Sequence, residues 1–331
     1  MISEVSVITK PCVELGRAEC TDAERLTADD WWIANGLGGY AGGTVSGILS
    51  RRYHGLLTAS TTLPLGRKQL MVKADASLLL DDHETPLYTN QWHDGEINPH
   101  GYLNISRFYL DGNMPVWHFR VGDVAIEQRI WMPRGKNQTC IAYRLVGAGS
   151  PEDHQPLLKI DLIAGYRDHH SVSDLNSFDI NTQLIKNGLH LHYPEGEKLH
   201  IYSEYGELSV DNTWVENFHL HAEHERGFES IDHHLRIGQL QLPLSRDWRG
   251  LVIGTELEGN IDLTQSMLAE YHRMADLLEE ACPGLRQVSK PAWVFQLVAA
   301  ADSFLFERVT GQNEASDSII AGFPWFGDWG R

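Results

Sequence analysis

Residues 124–132 read Val-Ala-Ile-Glu-Gln-Arg-Ile-Trp-Met. Apolar side chains at Val124, Ile126 and Ile130 occupy alternate positions, and charged side chains lie between them. Successive side chains of a β-strand point to opposite faces, so one face of this stretch suits a core and the other suits solvent. The pattern therefore predicts a half-buried strand.

Strand and turn patterns of the same kind extend over the first 262 residues. Residues 158–162 alternate in the same way, and residues 116–121 are rich in aromatic and β-branched side chains. Glycine-containing turn signals occur at residues 111–113, 122–123 and 186–188. Many short strands joined by regular turns predict an antiparallel β-sandwich.

The periodicity changes after Asp262, where two helices are predicted. Thr264 is the candidate N-cap of the first helix, and Ser289 is that of the second, which Gly311 would end. The predicted apolar faces are Leu268, Tyr271, Ala275 and Leu278 in the first helix, and Val294, Val298, Ala301 and Leu305 in the second.

The formal net charge is −18, from 27 basic and 45 acidic residues. This charge disfavours nucleic acid and anionic membrane surfaces as partners, because their phosphate groups would be repelled. A neutral partner such as a polysaccharide fits better, although solubility alone would also account for the charge.

Targeting and redox signals are sparse. The four cysteines form no Cys-x-x-Cys pair, which disfavours a zinc knuckle or a redox motif. The N-terminus has no basic region followed by an apolar one, so no signal peptide is predicted. No apolar run approaches the ~20 residues of a membrane span. We therefore expect reduced thiols and a cytoplasmic location.

Residues 319–331 read Ile-Ile-Ala-Gly-Phe-Pro-Trp-Phe-Gly-Asp-Trp-Gly-Arg. Indole rings can cover the C–H faces of a pyranose, while a carboxylate and a guanidinium can bind its hydroxyl groups. This chemistry makes sugar-binding candidates of Trp325, Asp328, Trp329 and Arg331. The alternative is a buried aromatic hairpin that ends a core.

Two further runs stand near the N-terminus: residues 35–40 read Asn-Gly-Leu-Gly-Gly-Tyr, and residues 51–57 read Arg-Arg-Tyr-His-Gly-Leu-Leu. They resemble the N-terminal signature of bacterial and archaeal glycogen-debranching enzymes of the amylo-α-1,6-glucosidase type. Residues 319–331 resemble the start of the catalytic domain in that family. The resemblance spans the whole chain, and it implies that the family's helical barrel continues past Arg331.

The resemblance implies a mainly β fold. It consists of an antiparallel β-supersandwich, followed by a helical linker and the first helix of an (α/α)6 barrel. The implied domains are the N-terminal β-supersandwich at residues 1–262, the linker at 263–288, and an incomplete beginning of the glucosidase barrel at 289–331.

The resemblance also implies roles for the C-terminal residues. Trp329 and Arg331 would bind the terminal glucose at the first subsite, and Trp325 and Asp328 would contribute. Inverting hydrolysis needs a general acid and a general base with a water between base and sugar. In the family these carboxylates come from later loops, so no catalytic residue is predicted in this chain.

Two polar pairs are further candidates for glucan binding. Arg52 and His54 would contact the glucan, orient the active-site loops of the barrel, or form a structural salt-bridge network between domains. Residues 167–170 resemble another family motif, with histidine in place of an aromatic ring at the third position. Arg167 and Asp168 are predicted to meet Arg52 and His54 in space.

Cofactor signals are weak. Residues 36–41 fit the Gly-x-Gly-x-x-Ala fingerprint, but the glycine-rich residues after them have poor helix propensity, so no helix N-terminus would face a pyrophosphate. His190 with His192, and His219 with His221, could supply metal ligands. No further ligand lies at an informative spacing, so exposed strand histidines explain them better. No metal and no cofactor are predicted.

The implied function is that of the N-terminal portion of an enzyme that hydrolyses α-1,6-glucosidic branch linkages in glycogen and limit dextrin. The chain would lack the catalytic acid–base pair; it would scaffold the barrel and help bind α-glucan. Its implied partners are α-glucan and the remainder of its own barrel. The alternatives are an independent carbohydrate-binding β-sandwich and a mutarotase-like sugar enzyme with His118 as the base.

Overall fold

The computed structural model describes residues 11–62, 66–81, 83–147, 155–256, 261–282, 291–309, 315–320 and 322–324. The helices are α1 (Arg17–Cys20), α2 (Ala23–Ala28), α3 (His221–Glu225), α4 (Leu263–Ala281) and α5 (Ala292–Ser303), and a 3₁₀ turn spans Gly101–Asn104.

Strands make up most of the rest. They are β1 (Glu14–Leu15), β2 (Asp30–Ala34), β3 (Tyr40–Thr44), β4 (Gly55–Thr62), β5 (Gly66–Leu80), β6 (His83–Pro86), β7 (Thr89–Gln91), β8 (Ile97–His100), β9 (Ile105–Asp111), β10 (Met114–Val121), β11 (Val124–Trp131), β12 (Gln138–Leu145), β13 (Leu157–Asp168), β14 (Asn181–Ile185), β15 (Gly188–His192), β16 (Lys198–Tyr202), β17 (Glu207–His219), β18 (Ile231–Pro243), β19 (Arg249–Gly254), β20 (Leu305–Val309) and β21 (Ala315–Ile319).

Two large antiparallel sheets dominate the described residues. One has nine strands in the order β1-β9-β10-β11-β12-β19-β16-β15-β14, and the other has eight, β17-β18-β13-β5-β4-β3-β2 with β6 on β5. Two hairpins, β7–β8 and β20–β21, form separate two-stranded sheets. The prediction of a mainly antiparallel β fold is confirmed.

The two large sheets share one hydrophobic core. Phe119 and Ile126 of the nine-stranded sheet belong to the same buried cluster as Leu57 of the eight-stranded sheet. Hydrogen bonds also join the sheets: Thr139 donates from Oγ1 to the backbone carbonyl of Leu56 at 2.5 Å. Alternation along each strand therefore places one face of each sheet inside the sandwich.

The alternation predicted for residues 158–162 is confirmed. These residues lie on β13, where Leu158, Ile160 and Leu162 are fully buried in the shared core. Lys159 and Asp161, between these positions, are only partly buried. The other face of β13 is therefore partly open at this point, as a period of two requires.

The prediction of a half-buried strand at residues 124–132 is wrong for its outer face. Glu127 is 2% exposed, Arg129 9% and Trp131 1%. The reason is that α4 packs over this face: Arg129 Nη1 donates to Tyr271 Oη, and Tyr271 Oη donates to Asp111 Oδ2 at 2.6 Å. A helix that lies far along the chain therefore buries polar side chains that the local pattern assigns to solvent.

The first predicted helix is present as α4, with a different cap. Asp262 is the N-cap, and its carboxylate accepts a hydrogen bond from the backbone N–H of Gln265 at 3.1 Å. Thr264 lies inside the helix instead, and aspartate is among the strongest N-cap residues.

No helix within the described residues is long and apolar enough to span a bilayer.

The buried face of α4 only partly matches the predicted stripe. Tyr271 is buried as predicted, but Ala275 is exposed. Met267 and Met274 are the other apolar side chains that the helix buries. Met267 packs on β11 and β12, and this contact turns the helix away from the predicted face.

The second predicted helix is present as α5, but it is shorter and buries another face. It ends at Ser303, and Leu305 begins β20. The buried positions are Phe295, Ala299 and Asp302, one residue away from the predicted stripe. Phe295 belongs to one buried cluster with α4, which decides the face. The predicted cap and end of this helix, at residues 289 and 311, lie outside the described residues.

Candidate functional site

The loop at residues 35–39 is held by a single buried amide. Asn35 Oδ1 accepts hydrogen bonds from the backbone N–H groups of Leu37 (2.9 Å) and Gly39 (3.0 Å). Asn35 Nδ2 donates to the Lys136 carbonyl (3.0 Å) and to Asn137 Oδ1 (2.9 Å). Asn35 therefore closes its own loop and fastens it to the loop between β11 and β12.

Two glycines make this arrangement possible. Gly36 has a φ of +73°, a left-handed conformation that L side chains rarely adopt. A Cβ at Gly39 would lie 2.7 Å from Asn35 Nδ2 and 2.9 Å from Asn137 Oδ1. The residues that follow form strand β3 rather than a helix, so the glycine pattern serves close packing and does not build a dinucleotide site.

Arg52 is bound on several sides by protein groups. Its guanidinium lies 3.3 Å from Glu223 Oε2, and it donates to the carbonyls of His170 (2.5 Å) and Glu229 (3.3 Å). Only 12% of the Arg52 side chain is exposed, and Glu223 is almost completely buried. These contacts hold together three segments that are distant in sequence.

Arg167 meets Arg52 directly, as predicted. Its Nη2 donates to the Arg52 carbonyl at 2.6 Å and to Asp232 Oδ2 at 2.9 Å. Asp232 also lies 3.3 Å from His234 Nε2 and accepts hydrogen bonds from the backbone N–H groups of Ser173 and His233. These partners outweigh burial and hold the pKa of Asp232 well below its ordinary value.

Arg167 Nη1 also donates to the backbone carbonyl of the adjacent Asp168 at 3.3 Å, whereas the side chains of His54 and Asp168 contact other groups. His54 Nδ1 accepts from the Ser50 N–H at 3.2 Å, and its Nε2 lies 3.4 Å from Asp30 Oδ1. Asp168 is an exposed carboxylate that accepts from the His170 N–H at 2.8 Å. Of the predicted meeting, the structure therefore brings together Arg52 and Arg167.

Sequence reasoning missed Asp232 and Glu223, which partner the two arginines. Both are ordinary acids in a chain with 45 of them, and Asp232 lies 65 positions from Arg167. Two adjacent histidines, His233 and His234, follow Asp232 in the sequence, but nothing there marks Asp232 as the partner of Arg167. Only folding brings the partners into contact.

Arg67 is a further residue that the sequence did not single out. It is 1% exposed, and no described residue hydrogen-bonds its guanidinium. Burial lowers the pKa of Arg67, and the nearby Tyr40 and Asp168 only partly oppose this. Native proteins rarely leave a buried charged group unpartnered, so such a group suggests a functional constraint.

The Arg67 guanidinium lies against the C-terminal segment. Its Cζ is 5.0 Å from the centre of the Phe323 ring. Phe323 is buried, and it packs against Trp32 and Tyr40 with ring centres 5.0 and 5.9 Å apart. The buried hairpin residue Phe306 belongs to the same cluster.

His169 completes the surroundings of Arg67. Its backbone N–H donates to the Arg67 carbonyl at 3.3 Å, and its ring lies 6.3 Å from the Tyr40 ring. Burial, followed by the charges of His170 and Arg67, lowers the pKa of His169 to about 3. The neutral imidazole therefore faces the cationic Arg67 without strong repulsion.

The C-terminal candidates Trp325, Asp328, Trp329 and Arg331 lie outside the described residues. Their sugar-binding roles stay predictions. The last described residues, Phe323 and Pro324, place the start of this segment beside Tyr40.

Histidines occur in small groups. The rings of His190 and His200 lie 4.3 Å apart on neighbouring strands, and those of His219 and His224 lie 5.5 Å apart. In the part of the chain that the structure describes, no group of three or more His, Cys, Asp or Glu side chains could hold a metal ion.

Comparisons with known proteins identify the domain. Residues 30–248 match the family described as glycogen debranching enzyme, N terminal. No curated protein matches the chain. A bacterial glucoamylase complexed with acarbose is similar with a TM-score of 0.40 and 8% identity, over 89% of this chain and 42% of that one. A polysaccharide lyase is similar with a TM-score of 0.28 and 11% identity, over 67% and 33%.

The chain thus spans less than half the length of either solved structure. Both TM-scores are too low to establish a shared fold. The family match, in contrast, covers most of the chain, from the first residue of β2 to the residue before β19. The chain therefore belongs to the family of N-terminal domains of glycogen-debranching enzymes.

Proposed function

We propose that this chain is the N-terminal part of an enzyme that hydrolyses α-1,6-glucosidic branch linkages in glycogen and limit dextrin. In this proposal the β domain is a supersandwich that braces an (α/α)6 barrel and helps bind the α-glucan. The family match over residues 30–248 is the observation that carries it. The acid–base pair of an inverting mechanism would come from the barrel.

The surface of α5 supports its assignment as the first barrel helix. Phe295 and Ala299 are buried on one face, while Trp293 and Leu297 are 56% and 60% exposed on the other. A helix that is apolar on opposite faces is usually buried on both. A further helix of the barrel would cover Trp293 and Leu297.

Glucose release from limit dextrin tests the activity. We expect release by an enzyme that carries this chain at its N-terminus, and none by the chain alone. Release by the chain alone would place the acid–base pair within it. No release by the longer enzyme would overturn the proposed reaction.

Glycogen affinity electrophoresis tests the binding role. We expect the chain to migrate more slowly in a gel that contains glycogen than in one without it. An unchanged mobility would leave the β domain a scaffolding role only. Retardation of the chain without any effect of the domain on hydrolysis would favour the alternative of an independent carbohydrate-binding module.

A substitution of Arg52 can distinguish a role in glucan binding from a role in holding the domain together. Its guanidinium is engaged by Glu223 and by two backbone carbonyls. If Arg52 also contacts glucan, Arg52→Ala should weaken glucan affinity in the longer enzyme. Unchanged affinity together with reduced stability would assign Arg52 to the structural network alone.

The mutarotase-like alternative has one supporting observation. His118 on β10 is the register partner of Glu127 on β11, and burial keeps the pKa of His118 below its ordinary value, as suits a general base. However, Arg129 and Arg144 bind the Glu127 carboxylate at 2.6 and 2.7 Å and hold its pKa low. Mutarotation of glucose by the chain, lost in His118→Ala, would support this alternative.

A further inference from the structure

A cleft of about 630 Å³, lined by polar and apolar groups in about equal measure, lies between the β-sandwich and α4. One wall is formed by residues 133–138, between β11 and β12, together with Leu37. The other wall is formed by Ser266, Ala269, Glu270 and Arg273 of α4. A volume of this size is typical of small-molecule sites, which run from about 300 to 1,000 Å³.

The Asn35 loop fixes the sandwich wall of the cleft. Asn35 binds the Lys136 carbonyl and the Asn137 side chain, and Gly135 N donates to the Asn35 carbonyl at 2.7 Å. The Arg134 side chain lies against Gly36, where an added Cβ would come within 2.9 Å of its Cγ. The glycine-rich motif thus has a structural consequence: it sets the shape of this wall.

An ion-pair network fixes the helical wall. Arg273 binds Glu270 of its own helix at 2.7 Å and Asp302 of α5 at 2.9 Å. Arg134 of the sandwich wall reaches the same Asp302 at 3.1 Å. The two walls are therefore tied together through one buried carboxylate, and a preorganised site costs less free energy to occupy.

The charges in and beside the cleft balance. The cations are Arg134, Lys136 and Arg273, and the acids are Glu256, Glu270 and Asp302. An anion would be attracted by the first group and repelled by the second. A neutral ligand that both donates and accepts hydrogen bonds suits this lining better.

Two exposed rim groups are available to a ligand. Within the described residues, neither Lys136 nor Glu256 has an ion-pair partner. The amides of Asn137 and Gln138 add donors and acceptors to the lining. No aromatic ring is among the described residues that line the cleft, so hydrogen bonds rather than ring stacking would hold a sugar there.

We propose that this cleft binds a short segment of α-glucan. The choice of ligand rests on the proposed function, whereas the existence of a site for a neutral polyhydroxylated molecule rests on the cleft itself. Donors from the sandwich wall and acceptors on the rim and the helix would bind the sugar hydroxyls.

A matched pair of alanine substitutions on α4 tests the site. Ala269 and Ala275 are both exposed alanines of this helix, but only Ala269 lines the cleft. Isothermal titration of the chain with maltotriose should show at least tenfold weaker binding for Ala269→Trp. Ala275→Trp should bind as the unaltered chain does. Urea unfolding should confirm that both variants are folded.

A second pair of variants probes the rim without filling the cleft. Lys136→Met and Glu256→Gln each remove a charge from an exposed side chain, so folding should be preserved. Each should weaken maltotriose binding, and inorganic phosphate should not compete. Competition by phosphate would identify an anion site and overturn the inference.

The outcomes separate this inference from the proposed function. Maltotriose binding that survives in Ala269→Trp overturns the cleft assignment. Absence of maltotriose binding by the unaltered chain also overturns it. Neither result bears on glucose release from limit dextrin by the longer enzyme, which tests the proposed reaction independently.

Discussion

Arg167 Nη2 donates a hydrogen bond to the backbone carbonyl of Arg52 at 2.6 Å, across 115 positions of sequence. The contact joins the end of β13 to the turn before β4. Both guanidinium groups are paired with buried carboxylates, Arg52 with Glu223 and Arg167 with Asp232. The two family motifs are therefore parts of one buried charge network.

Removing the Asp232 charge should be strongly destabilising. Asp232→Asn leaves the Arg167 guanidinium, of which 4% is exposed, without its charged partner. Breaking one side of a buried pair costs about 3–5 kcal/mol. Urea unfolding at pH 7 measures the loss, and Asp179→Asn, at an exposed position, should change stability by less than about 0.5 kcal/mol. Equal effects would contradict the network.

Acid should destabilise the fold partly through His169. In the unfolded chain this imidazole binds a proton below its ordinary pKa of 6.5, whereas burial beside His170 and Arg67 lowers its folded pKa to about 3. The unfolded state therefore binds more protons between these values, so stability falls as pH drops. Asp168, the facing carboxylate, opposes this only weakly.

A neutral substitution isolates that contribution. Between pH 7 and pH 5, the lowered pKa of His169 should reduce the free energy of unfolding by about 2 kcal/mol. His169→Gln should reduce the loss of unfolding free energy over this interval by about that amount. Urea titrations at both pH values supply the comparison. An unchanged pH dependence would mean that His169 is protonated in the folded chain.

Two buried arginines should respond oppositely to the same substitution. Arg167→Met leaves the buried Asp232 carboxylate without its arginine partner. The substitution should lower the free energy of unfolding by about 3–5 kcal/mol. Arg67→Met removes a guanidinium that no described residue hydrogen-bonds, so stability should stay level or rise by about 1 kcal/mol. The denaturant midpoints of the two variants, compared with that of the unaltered chain, measure these changes in stability. A large loss in Arg67→Met would show that Arg67 has a partner.

Asn35→Ala should loosen the loop that shapes the cleft. The side chain is fully buried and makes hydrogen bonds to Leu37, Gly39, Lys136 and Asn137. Leaving buried groups unsatisfied costs about 1–3 kcal/mol. Unfolding free energy and maltotriose affinity should both fall. Asn181→Ala, at an exposed strand position, is the control and should change neither.

Much of the fold follows from local pattern. Alternation at Leu158 and Leu162 identifies β13, and the turn signal at Asn187 coincides with a left-handed residue between β14 and β15. The change of period after Asp262 coincides with the start of α4. These features depend on neighbours in sequence, which a sequence displays directly.

The buried face of each helix or strand, and the side chains that it contacts, were harder to predict. The stripe predicted for α5 is off by one position, because Phe295 packs on Met274 and Asp302 pairs with Arg273. The outer face of β11 was assigned to solvent, whereas α4 buries it. Both errors have the same cause: the surface that covers an element belongs to a segment far away in the chain.

The sequence by itself determined the strand-rich character of this protein, the change from strands to a long helix after Asp262 and the membership of a family, because each follows from local spacing or from a motif. Only the tertiary structure decided which charges are paired and which are not. Asp232 meets Arg167, whereas the Arg67 guanidinium meets no hydrogen-bonding partner among the described residues. Charge pairing depends on distances that arise only when strands from distant parts of the chain pack together. The identity of a residue does not specify these distances.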